Sequence, residues 1–584
     1  MSRSGRLLVH AAGALRRRIR ASEVWFLALA LLVGASAALV AILIGQIARG
    51  AQRLLYGLAM GEHLSAASHV AGFRLLALPA GGALLGLTIW LLRRRTPIDV
   101  VEANALHGGR IPARDSATVV GQTMLSNGFG ASVGLEAAYA QAGGGLASIL
   151  GHRLKLRRND LRTLVGAGTG AAISAAFGAP LTGAFYAFEI ALGAYTPATI
   201  APVMAAAIAA AVTARGLGAT PYVIAAGGMH PITTADYALY GMLGLLCAGV
   251  GIALMRLVSL IERGVRRTRL PKPVAPAVGG LILIPLAMLS PQSLSGGHGA
   301  LNLDLVAEVT IGSLALAIGL KIAASAVSLG FGFRGGLFFA SLFTGSLIGR
   351  LYQLSLAHIP NLHVLAPDDA TLVGMAALAV AVVGGPMTIS LLVLEVTHDF
   401  ALTGVAIAAS LIASTVVRNS FGYSFSTWRL HLRGETIRSG RDIGWTRTLT
   451  AGKMMRHDVA LVPAATPLAE FRSRFPLGSA TRVVLTDAQG AYAGIVPIAA
   501  AYSSEADAQT PVETLAGLRD SALDIGMDIA SIMDAFDSCE ADDLAVLAPD
   551  GTVAGVLTEK HVRRRYAEEL EKSQVELYGE GGTR

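Results

Sequence analysis

The chain has 584 residues, of which 53% are hydrophobic and 15% charged, and its mean hydropathy is +0.57. Soluble domains carry about 25% charged residues, so this composition excludes a soluble protein over most of the length. The net charge of +8 lies in basic clusters that flank apolar segments without interleaved aromatic residues, which argues against nucleic-acid binding. The two cysteines, Cys247 and Cys539, predict neither a disulfide framework nor a metal site.

Apolar segments recur along the first three-quarters of the chain. The first, residues 24–46, is longer than the roughly 20 residues that cross a bilayer and too long for the h-region of a cleaved signal peptide. Many later segments are short or contain Gly or Pro, and such irregular backbone persists in lipid only where protein buries it or it lines a wet cavity. The sequence therefore predicts an all-α, multi-span membrane protein with an internal pathway. Its predicted spans are 24–50, 72–94, 118–150, 161–178, 181–194, 198–216, 236–262, 274–290, 309–330, 335–356, 370–384, 386–397 and 402–420.

Two kinds of segment occur twice in this apolar region, in the same order. The matching pairs are 134–138 with 336–340, and 176–182 with 382–388. Duplicated halves whose helices are interrupted at corresponding places point to a transport site where the halves meet. Glu189 and Glu395 each lie nine positions after the shared proline. Because they recur symmetrically, we interpret these two glutamates as structural.

The first repeated segment has the pattern of a helix that starts inside the membrane. Such a start offers free backbone N–H groups and the positive end of the helix dipole, which suit an anion. A cation path would require rings of acidic side chains, and the predicted core spans lack them. We therefore expect an anion path. Its expected backbone lining is Gly134, Leu135, Glu136 and Ala137 from one half and Leu337, Phe338 and Phe339 from the other.

Glu136 is the exception among these small and apolar residues. An acid inside a membrane span is usually functional. An ionised carboxylate beside a helix start competes with the anion, and it yields its position when it is protonated or displaced. We interpret Glu136 as a gate.

From about residue 448 the composition becomes mixed and polar. Residues 482–496 and 544–557 each have the pattern of a strand, a turn that contains Gly, and a second strand. Two such units, about 60 residues apart, predict a soluble α/β domain of paired repeats.

These motifs resemble those of the CLC chloride channel and transporter family. Residues 175–183 (Ala-Ala-Phe-Gly-Ala-Pro-Leu-Thr-Gly) are similar to the family's Ala-Ala-Phe-Asn-Ala-Pro-Leu-Ala-Gly run. Residues 134–138 resemble its Gly-x-Glu-Gly-Pro motif, which implies that Glu136 is the gating glutamate. Residues 336–340 resemble Gly-x-Phe-x-Pro, which implies that Phe338 lies beside the anion path. The resemblance further implies a CLC-like fold with inverted halves around each anion site, and a homodimer with one pore per subunit.

The position after Glu189 departs from the pattern of the family's coupled exchangers. Those exchangers carry a second acid there, and this chain has Ile190. A proton taken up by Glu136 then has no evident inner relay, so strict proton–chloride exchange is not favoured.

The central anion site also departs from the family's pattern. The tyrosine whose hydroxyl faces the anion corresponds to Phe425 or, with a shift of the alignment, to Tyr423. For the family's Gly-Ser-Gly-Ile-Pro motif, the spacing to Glu136 selects residues 95–99, with Thr96 in place of the serine. Residues 108–112 are more similar to that motif but lie too near Glu136 in the sequence.

The polar tail resembles the family's cystathionine-synthase-type (CBS) regulatory pair. Residues 555–559 resemble the strand end that contacts a nucleotide, which implies that Thr558 and Glu559 hold an adenine nucleotide. Residues 494–497 lack the corresponding hydroxyl, so at most one such site is expected. A tail that only braces the dimer is the alternative, because a fold alone does not establish ligand binding.

Weak binding at the centre favours passage over tight coupling. The sequence therefore favours an uncoupled or weakly coupled chloride channel or transporter that is gated by Glu136, and a proton-coupled chloride antiporter is the alternative. A third hypothesis is a membrane receptor whose tail senses nucleotide. No catalytic triad, Walker A motif or metal-ligand cluster indicates an enzyme or a metal cofactor, and nothing marks fluoride over chloride.

Basic loops stay in the cytoplasm, so we expect both termini on the inner side of the cell membrane. The predicted layout is a basic N-terminus (1–23), a membrane domain (24–430) with halves 24–216 and 236–430, a linker (431–449), a CBS pair (450–570) and a polar tail (571–584).

Overall fold

A computed structural model describes residues 22–92, 97–219, 231–301, 310–360, 365–431, 449–503, 505–539 and 541–578. Thr96 and most of the predicted linker lie outside these residues. The chain forms two compact units, Met1–Asp442 and Ile443–Arg584. The domain boundaries inferred from the sequence remain predictions.

The described part of the first unit is helical. Its α-helices are α1 (Glu23–Tyr56), α2 (Ala77–Leu91), α3 (Val100–Leu106), α4 (Ala113–Gly128), α5 (Glu136–Arg153), α6 (Arg158–Phe177), α7 (Pro180–Tyr186, continued by a π-helical turn over Ala187–Leu192), α8 (Pro197–Gly216), α9 (Thr234–Arg267), α10 (Ala275–Leu289), α11 (Ile311–Gly330), α12 (Phe338–Ala357), α13 (Pro367–Val383), α14 (Pro386–Thr397), α15 (Phe400–Ser420) and α16 (Phe425–His431). Short 3₁₀ turns cover Leu64–Ala66, Gly72–Leu76 and Pro291–Ser293.

Six helical stretches among the described residues are long and apolar enough to cross a membrane. They are Glu23–Tyr56, Gly72–Leu91, Pro197–Gly216, Thr234–Arg267, Ile311–Gly330 and Phe400–His431. Three shorter apolar helices, Pro180–Leu192, Ala275–Leu289 and Pro386–Thr397, accompany them. Short helices beside full-length ones agree with the multi-span interpretation of the sequence.

The prediction of one continuous span over 118–150 is wrong. Helix α4 ends at Gly128 and α5 begins at Glu136. Between them Gly130 has a φ of 90°, a left-handed conformation that favours glycine. The connecting residues, 129–135, contain neither a charged residue nor a proline, so hydropathy does not reveal the break.

The sequence repeat is also a structural repeat. Helices α5 and α12 begin two residues after Gly134 and Gly336 respectively, and α7 and α14 both begin at the shared proline, a residue that suits the first turn of a helix. In both halves the helix that follows the first motif packs closely on the next helix, α5 on α6 and α12 on α13. A β-carbon on Gly143 would overlap the backbone of α6, and one on Gly345 would overlap the backbone of α13. This close approach of small residues is typical of helix packing in membranes.

The second unit contains two three-stranded sheets built in the same way. The strands are β1 (Leu461–Pro463), β2 (Arg482–Thr486), β3 (Tyr492–Pro497), β4 (Ala522–Asp524), β5 (Asp543–Leu547) and β6 (Val553–Thr558). The α-helices are α17 (Ala451–Met454), α18 (Leu468–Arg474), α19 (Ile498–Ser503), α20 (Ile529–Cys539) and α21 (Glu559–Tyr578), with a 3₁₀ turn at Val512–Leu515. In each sheet the first strand pairs parallel with the second, and the second pairs antiparallel with the third.

The two sheets have separate cores, and a third apolar cluster joins them. Val484 and Ile495 of the first repeat pack in that cluster with Ala545 of the second. Isolated bridges, such as Ala491 with Thr552, also link the repeats. The predicted α/β pair of repeats is therefore confirmed.

Candidate functional site

The two halves meet where the loops before α5 and α12 pair with each other. The Gly134 N–H donates to the Gly336 carbonyl at 2.9 Å, and the Gly336 N–H donates to the Gly134 carbonyl at 3.3 Å. This short antiparallel bridge fixes the two helix starts next to each other. The first amide groups of a helix have no partner inside that helix, so N–H groups of both helices that are available to an outside acceptor gather at one place.

The Glu136 side chain lies between the two helix starts. It is 2% exposed, and its Oε1 accepts the backbone N–H of Phe339, in the first turn of α12, at 3.2 Å. Its Oε2 is buried and has no hydrogen-bond partner among the residues that the structure describes. The carboxylate of one half therefore reaches across to the opposite half.

Both bridge glycines make room for this carboxylate. A β-carbon on Gly134 would overlap the Glu136 carboxyl group, and a β-carbon on Gly336 would stand 3.1 Å from its Oε2. The carboxylate lies where the positive ends of α5 and α12 meet, the environment that favours a negative charge. The same place would suit a small anion if the side chain left it.

Aromatic rings enclose the start of α12. The Phe338 ring lies 5.3 Å from that of Phe177, at the end of α6, and 6.1 Å from that of Tyr186 on α7, measured between centroids. Phe339 stacks on His298 with a centroid separation of 3.6 Å. The predicted neighbours Leu135 (5% exposed) and Leu337 (1%) are also buried, and the backbone nitrogen of Ala137 lies 3.8 Å from where a Gly336 β-carbon would stand.

Of the two candidates for the late central residue, Phe425 is the buried one. Phe425 is 6% exposed and belongs to the membrane core. The Tyr423 hydroxyl instead lies 3.2 Å from Nδ1 of His431, and the Tyr423 ring stacks on the His431 ring. The arrangement places a ring without a hydroxyl in the core, and the hydroxyl-bearing ring beside the last turn of α16.

Ile190 lies near the loop between α13 and α14. A β-carbon built on Gly385 would lie 3.2 Å from the Ile190 Cδ1 atom, and one built on Gly384 would lie 4.0 Å from it. The β-carbon built on Gly384 would also lie 3.5 Å from Cβ of Ser424. The second half of the chain thus surrounds the position at which coupled exchangers carry an acid.

Residues 108–112 do not lie beside Glu136. The Ile111 N–H donates to Ser148 Oγ at 2.8 Å, and that hydroxyl donates to the Gly109 carbonyl at 2.8 Å. Ser148 is 12 residues beyond Glu136 on α5, or about 18 Å along a helix. This geometry removes the second candidate for the serine motif, while Thr96 falls outside the described residues.

Glu189 and Glu395 form a reciprocal pair of helix caps. Glu189 accepts the N–H groups of Met387 and Thr388 and the hydroxyl of Thr388, at 3.1, 2.8 and 2.6 Å. Glu395 accepts the N–H groups of Leu181 and Thr182 and the hydroxyl of Thr182, at 2.6, 2.8 and 2.6 Å. Each carboxylate therefore caps the short helix of the other half, which is a structural role.

A buried polar network beside the site was not predicted from the sequence. Lys321 on α11 is 0% exposed, and its ammonium donates to the carbonyls of Ser293, Leu294 and Ser295, the last at 2.6 Å. The Gln52 amide donates to Ser295 Oγ at 3.2 Å and to Asn127 Oδ1 at 3.1 Å. The network holds the loop that contains Gly296, at which a β-carbon would lie 3.6 Å from Cα of Gly134. A lone lysine inside an apolar span was the available signal.

Two tyrosines near Glu136 were also missed. Tyr139 lies three residues after Glu136 on α5, so both side chains share one helix face. Tyr186 lies beside Phe338, as described above, and one helical turn before Ile190. The helical spacing of Tyr139 would have indicated it, whereas the position of Tyr186 depends on how the halves pack.

In the tail, both proposed nucleotide-contacting residues already have partners within the protein. Thr558 Oγ1 accepts the His561 N–H at 3.3 Å, at the start of α21. Glu559 Oε1 accepts a hydrogen bond from Arg563 Nε at 2.5 Å. The same arginine also binds Asp537 at 2.7 Å. The Thr558 hydroxyl and the Glu559 carboxylate therefore stabilise the first turns of α21.

Sequence comparisons relate the membrane unit to known chloride channels. A family model described as voltage gated chloride channel matches residues 81–418. A ClcB-like chloride channel protein of Ralstonia nicotianae is 32% identical over 389 residues, which are 64% of this chain and 89% of that protein. A voltage-gated ClC-type chloride channel, ClcB, of Escherichia coli is 28% identical over 370 residues, which are 61% of this chain and 87% of that protein.

Solved structures share the fold at lower sequence identity. A slow cyanobacterial Cl⁻/H⁺ antiporter has a TM-score of 0.59 at 22% identity and covers 70% of this chain and 97% of its own. A CLC-type fluoride/proton antiporter has a TM-score of 0.58 at 20% identity and covers 68% and 95%. A eukaryotic CLC transporter has a TM-score of 0.58 at 18% identity and covers 92% and 97%, so the likeness extends into the tail. The predicted fold, a CLC-like membrane domain followed by a CBS pair, is confirmed.

Proposed function

The chain belongs to the voltage-gated chloride channel family, and from this premise we propose that it passes chloride through a path in each subunit, gated by Glu136. Chloride is the permeant ligand, and the path needs no other cofactor. The Glu136 carboxylate occupies the place that the anion takes, between the starts of α5 and α12. It leaves that place when it is protonated or displaced.

One observation supports this proposal above the others. A buried carboxylate accepts a hydrogen bond from an N–H group of the opposite helix start, while its second oxygen has no partner in the described part of the chain. Leaving a buried polar atom without a hydrogen bond costs free energy. A glutamate with a purely structural role would therefore be expected to have both of its oxygens hydrogen-bonded. A group that must repeatedly leave its position benefits from being held by few bonds.

Passage with little or no proton coupling follows from the inner part of the path. Ile190 has no titratable group, and the Glu189 carboxylate near Gly385 is bound to the N–H groups of Met387 and Thr388. The buried ring of Phe425 has no hydroxyl with which to hold an anion. A weakly held ion leaves a pore readily. We therefore propose an uncoupled or weakly coupled conductor.

A proton-coupled chloride antiporter is the second candidate. Tyr186 supports it, because this tyrosine lies near Phe338 and one helical turn before Ile190. A hydroxyl between the gate and the inner end would shorten a water-mediated proton route. Chloride-driven proton uptake by sealed vesicles distinguishes the two candidates: uphill proton movement establishes the antiporter, and chloride flux without it supports the conductor.

The gate is tested by chloride efflux from vesicles that contain the full chain. We expect flux through the unchanged protein to vary with external pH by up to about tenfold per pH unit, the limit for one titrating proton. Glu136→Gln and Glu136→Ala should make the flux nearly independent of external pH. The matched control is Glu262→Gln, since Glu262 pairs with Arg266 on the same helix, α9, at 2.6 Å. A steep pH dependence that survives in both Glu136 variants would exclude Glu136 as the gate.

We also propose that the protein is a homodimer in the cell membrane, with both termini in the cytoplasm. Large apolar side chains on the outer face of α8, Ile200, Ile208 and Val212, are exposed in the single chain and are suited to contact with a second copy or with lipid. Native mass spectrometry in detergent should give twice the subunit mass of 60.1 kDa. A single-subunit mass under conditions that preserve chloride flux would contradict the dimer.

A further inference from the structure

A surface groove of about 600 Å³ lies between the second half of α9 and the end of α15. Its lining residues are Ala253, Arg256, Leu257, Leu260, Arg263, Ser420, Phe421 and Trp428. The lining is therefore mainly apolar, with two arginines on one wall. All of its lining residues belong to the first unit, and none of them was assigned to the chloride path.

The two arginines share one stripe of α9. Arg256 and Arg263 are seven residues apart, two helical turns or about 10 Å. Leu260 lies between them and is 59% exposed. Arg256 lies over the Phe421 ring at 5.9 Å, and Arg263 Nε donates to the Ser259 carbonyl at 3.3 Å. Within the described part of the chain, neither guanidinium forms an ion pair with a carboxylate.

The opposite wall has the composition of a membrane interface. Trp428 and Phe421 pack with ring centroids 4.7 Å apart, and Trp428 Nε1 donates to Ser259 Oγ at 2.6 Å. Tryptophan and tyrosine concentrate at the level of the lipid headgroups. The basic end of α9, which continues through Arg266 and Arg267, agrees with the cytoplasmic side.

We propose that this groove binds one anionic phospholipid, whose phosphate lies between Arg256 and Arg263 and whose acyl chains follow Leu257, Leu260 and Phe421. Charge complementarity selects the headgroup, because two arginines that have no carboxylate partner among the described residues face a mainly apolar channel. Basic pockets between spans on the cytoplasmic side bind such headgroups. The bound lipid joins α9 to the segment that carries Phe425, so it also stabilises the inner end of the chloride path.

Lipid retention is measured by native mass spectrometry of the full chain, released from vesicles of phosphatidylglycerol and phosphatidylcholine. We expect phosphatidylglycerol, and not phosphatidylcholine, to remain bound. The double variant Arg256→Gln, Arg263→Gln should retain about thirtyfold less, from the free energy of a basic residue beside an anionic lipid. Arg266→Gln is the control, because Arg266 is on the same helix but pairs with Glu262. The charge-conserving variant Arg256→Lys, Arg263→Lys should recover most of the retention.

Two results would overturn the assignment. Equal retention in the double variant and the control would mean that the arginines do not hold the lipid. Displacement of the lipid by inorganic phosphate alone would mean that the groove recognises a free anion rather than a phospholipid. Chloride efflux and gel filtration of the same samples show whether each variant is folded. Lipid retention does not depend on chloride flux, so it can fail while the gate stands.

Discussion

Removal of the reciprocal caps should destabilise the membrane unit without directly affecting the gate. In Glu395→Ala, two N–H groups and one hydroxyl at the start of α7 lose a carboxylate acceptor. Hydrogen bonds to charged groups contribute about 1.5–3 kcal/mol each. Water can recover part of this loss, because Glu395 and Leu181 line an open cavity of about 310 Å³. We therefore expect a loss of about 2–4 kcal/mol rather than the sum of three bonds.

Glu189→Ala should cost a similar amount at the start of α14. Because Glu395 belongs to α14 and Glu189 follows α7, the two caps connect the same pair of helices, and their losses should not be additive. Glu395→Gln keeps one acceptor oxygen but places an NH₂ donor where the other oxygen accepted a hydrogen bond. It also loses the charge, which contributes about 0.3–2 kcal/mol at a helix start. The size of the effect should therefore decrease from alanine to glutamine.

The assay is heat-induced labelling of Cys247 with a thiol reagent in a Cys539→Ser background. Cys247 is 0% exposed, so it reacts only when the membrane unit opens. Glu262→Gln is the control for loss of a glutamate from the same unit. Labelling midpoints for both alanine variants that equal the control midpoint would refute the capping argument. Loss of flux at unchanged stability would refute it too, and would assign the glutamates to transport.

Three further predictions concern the inner path and the tail. Ile190→Glu should not by itself produce chloride-driven proton uptake in vesicles, because the new carboxyl group would still lack a water-filled connection to Glu136; uphill proton movement in this variant would contradict the expectation. The pKa of His561 lies below its usual value of 6.5 because partial burial and the nearby Arg564 and Arg565 disfavour the charged ring. At this histidine the unfolded tail therefore binds more protons than the folded one, so the part of the stability that depends on the neutral ring is present above the usual pKa and is lost as the pH falls below it. Cys539 labelling should show a smaller decrease in His561→Asn, and an identical decrease would exclude this histidine. Thr558→Ala should cost the tail about 1 kcal/mol through loss of the α21 cap, with or without ATP; an ATP-induced stabilisation that this variant abolishes would instead assign the hydroxyl to a nucleotide.

The sequence predicted the features that depend on glycine and proline residues at the ends of helices and in turns. Glycine before Glu136 and Phe338, and proline at residues 180 and 386, mark helix starts wherever the chain packs, so these starts appear where the repeats placed them. The strand pairs of the tail were predictable for the same reason, since turns with Gly separate short apolar runs.

The features that depend on long-range packing were not predictable. Gln52 reaches Asn127 and Ser295, which are 75 and 243 positions away, and the contacts of Lys321 are with carbonyls of a loop rather than with a charged partner. No local pattern specifies such pairings. The exchange of caps between Glu189 and Glu395 was anticipated only as a structural role, because the sequence shows the symmetry but not which helix each carboxylate reaches.

The bridge between Gly134 and Gly336 implies that the ion route is formed where the two sequence-related halves of one chain meet, and that neither half forms it alone. Each half supplies one helix start and one residue of the bridge, and separating the halves would break both hydrogen bonds between Gly134 and Gly336. A large rotation of one half of the chain against the other is therefore a costly way to open the route. The economical motion is rotation of one side chain on a stationary frame, so opening should leave the backbone around residues 134 and 336 almost unchanged.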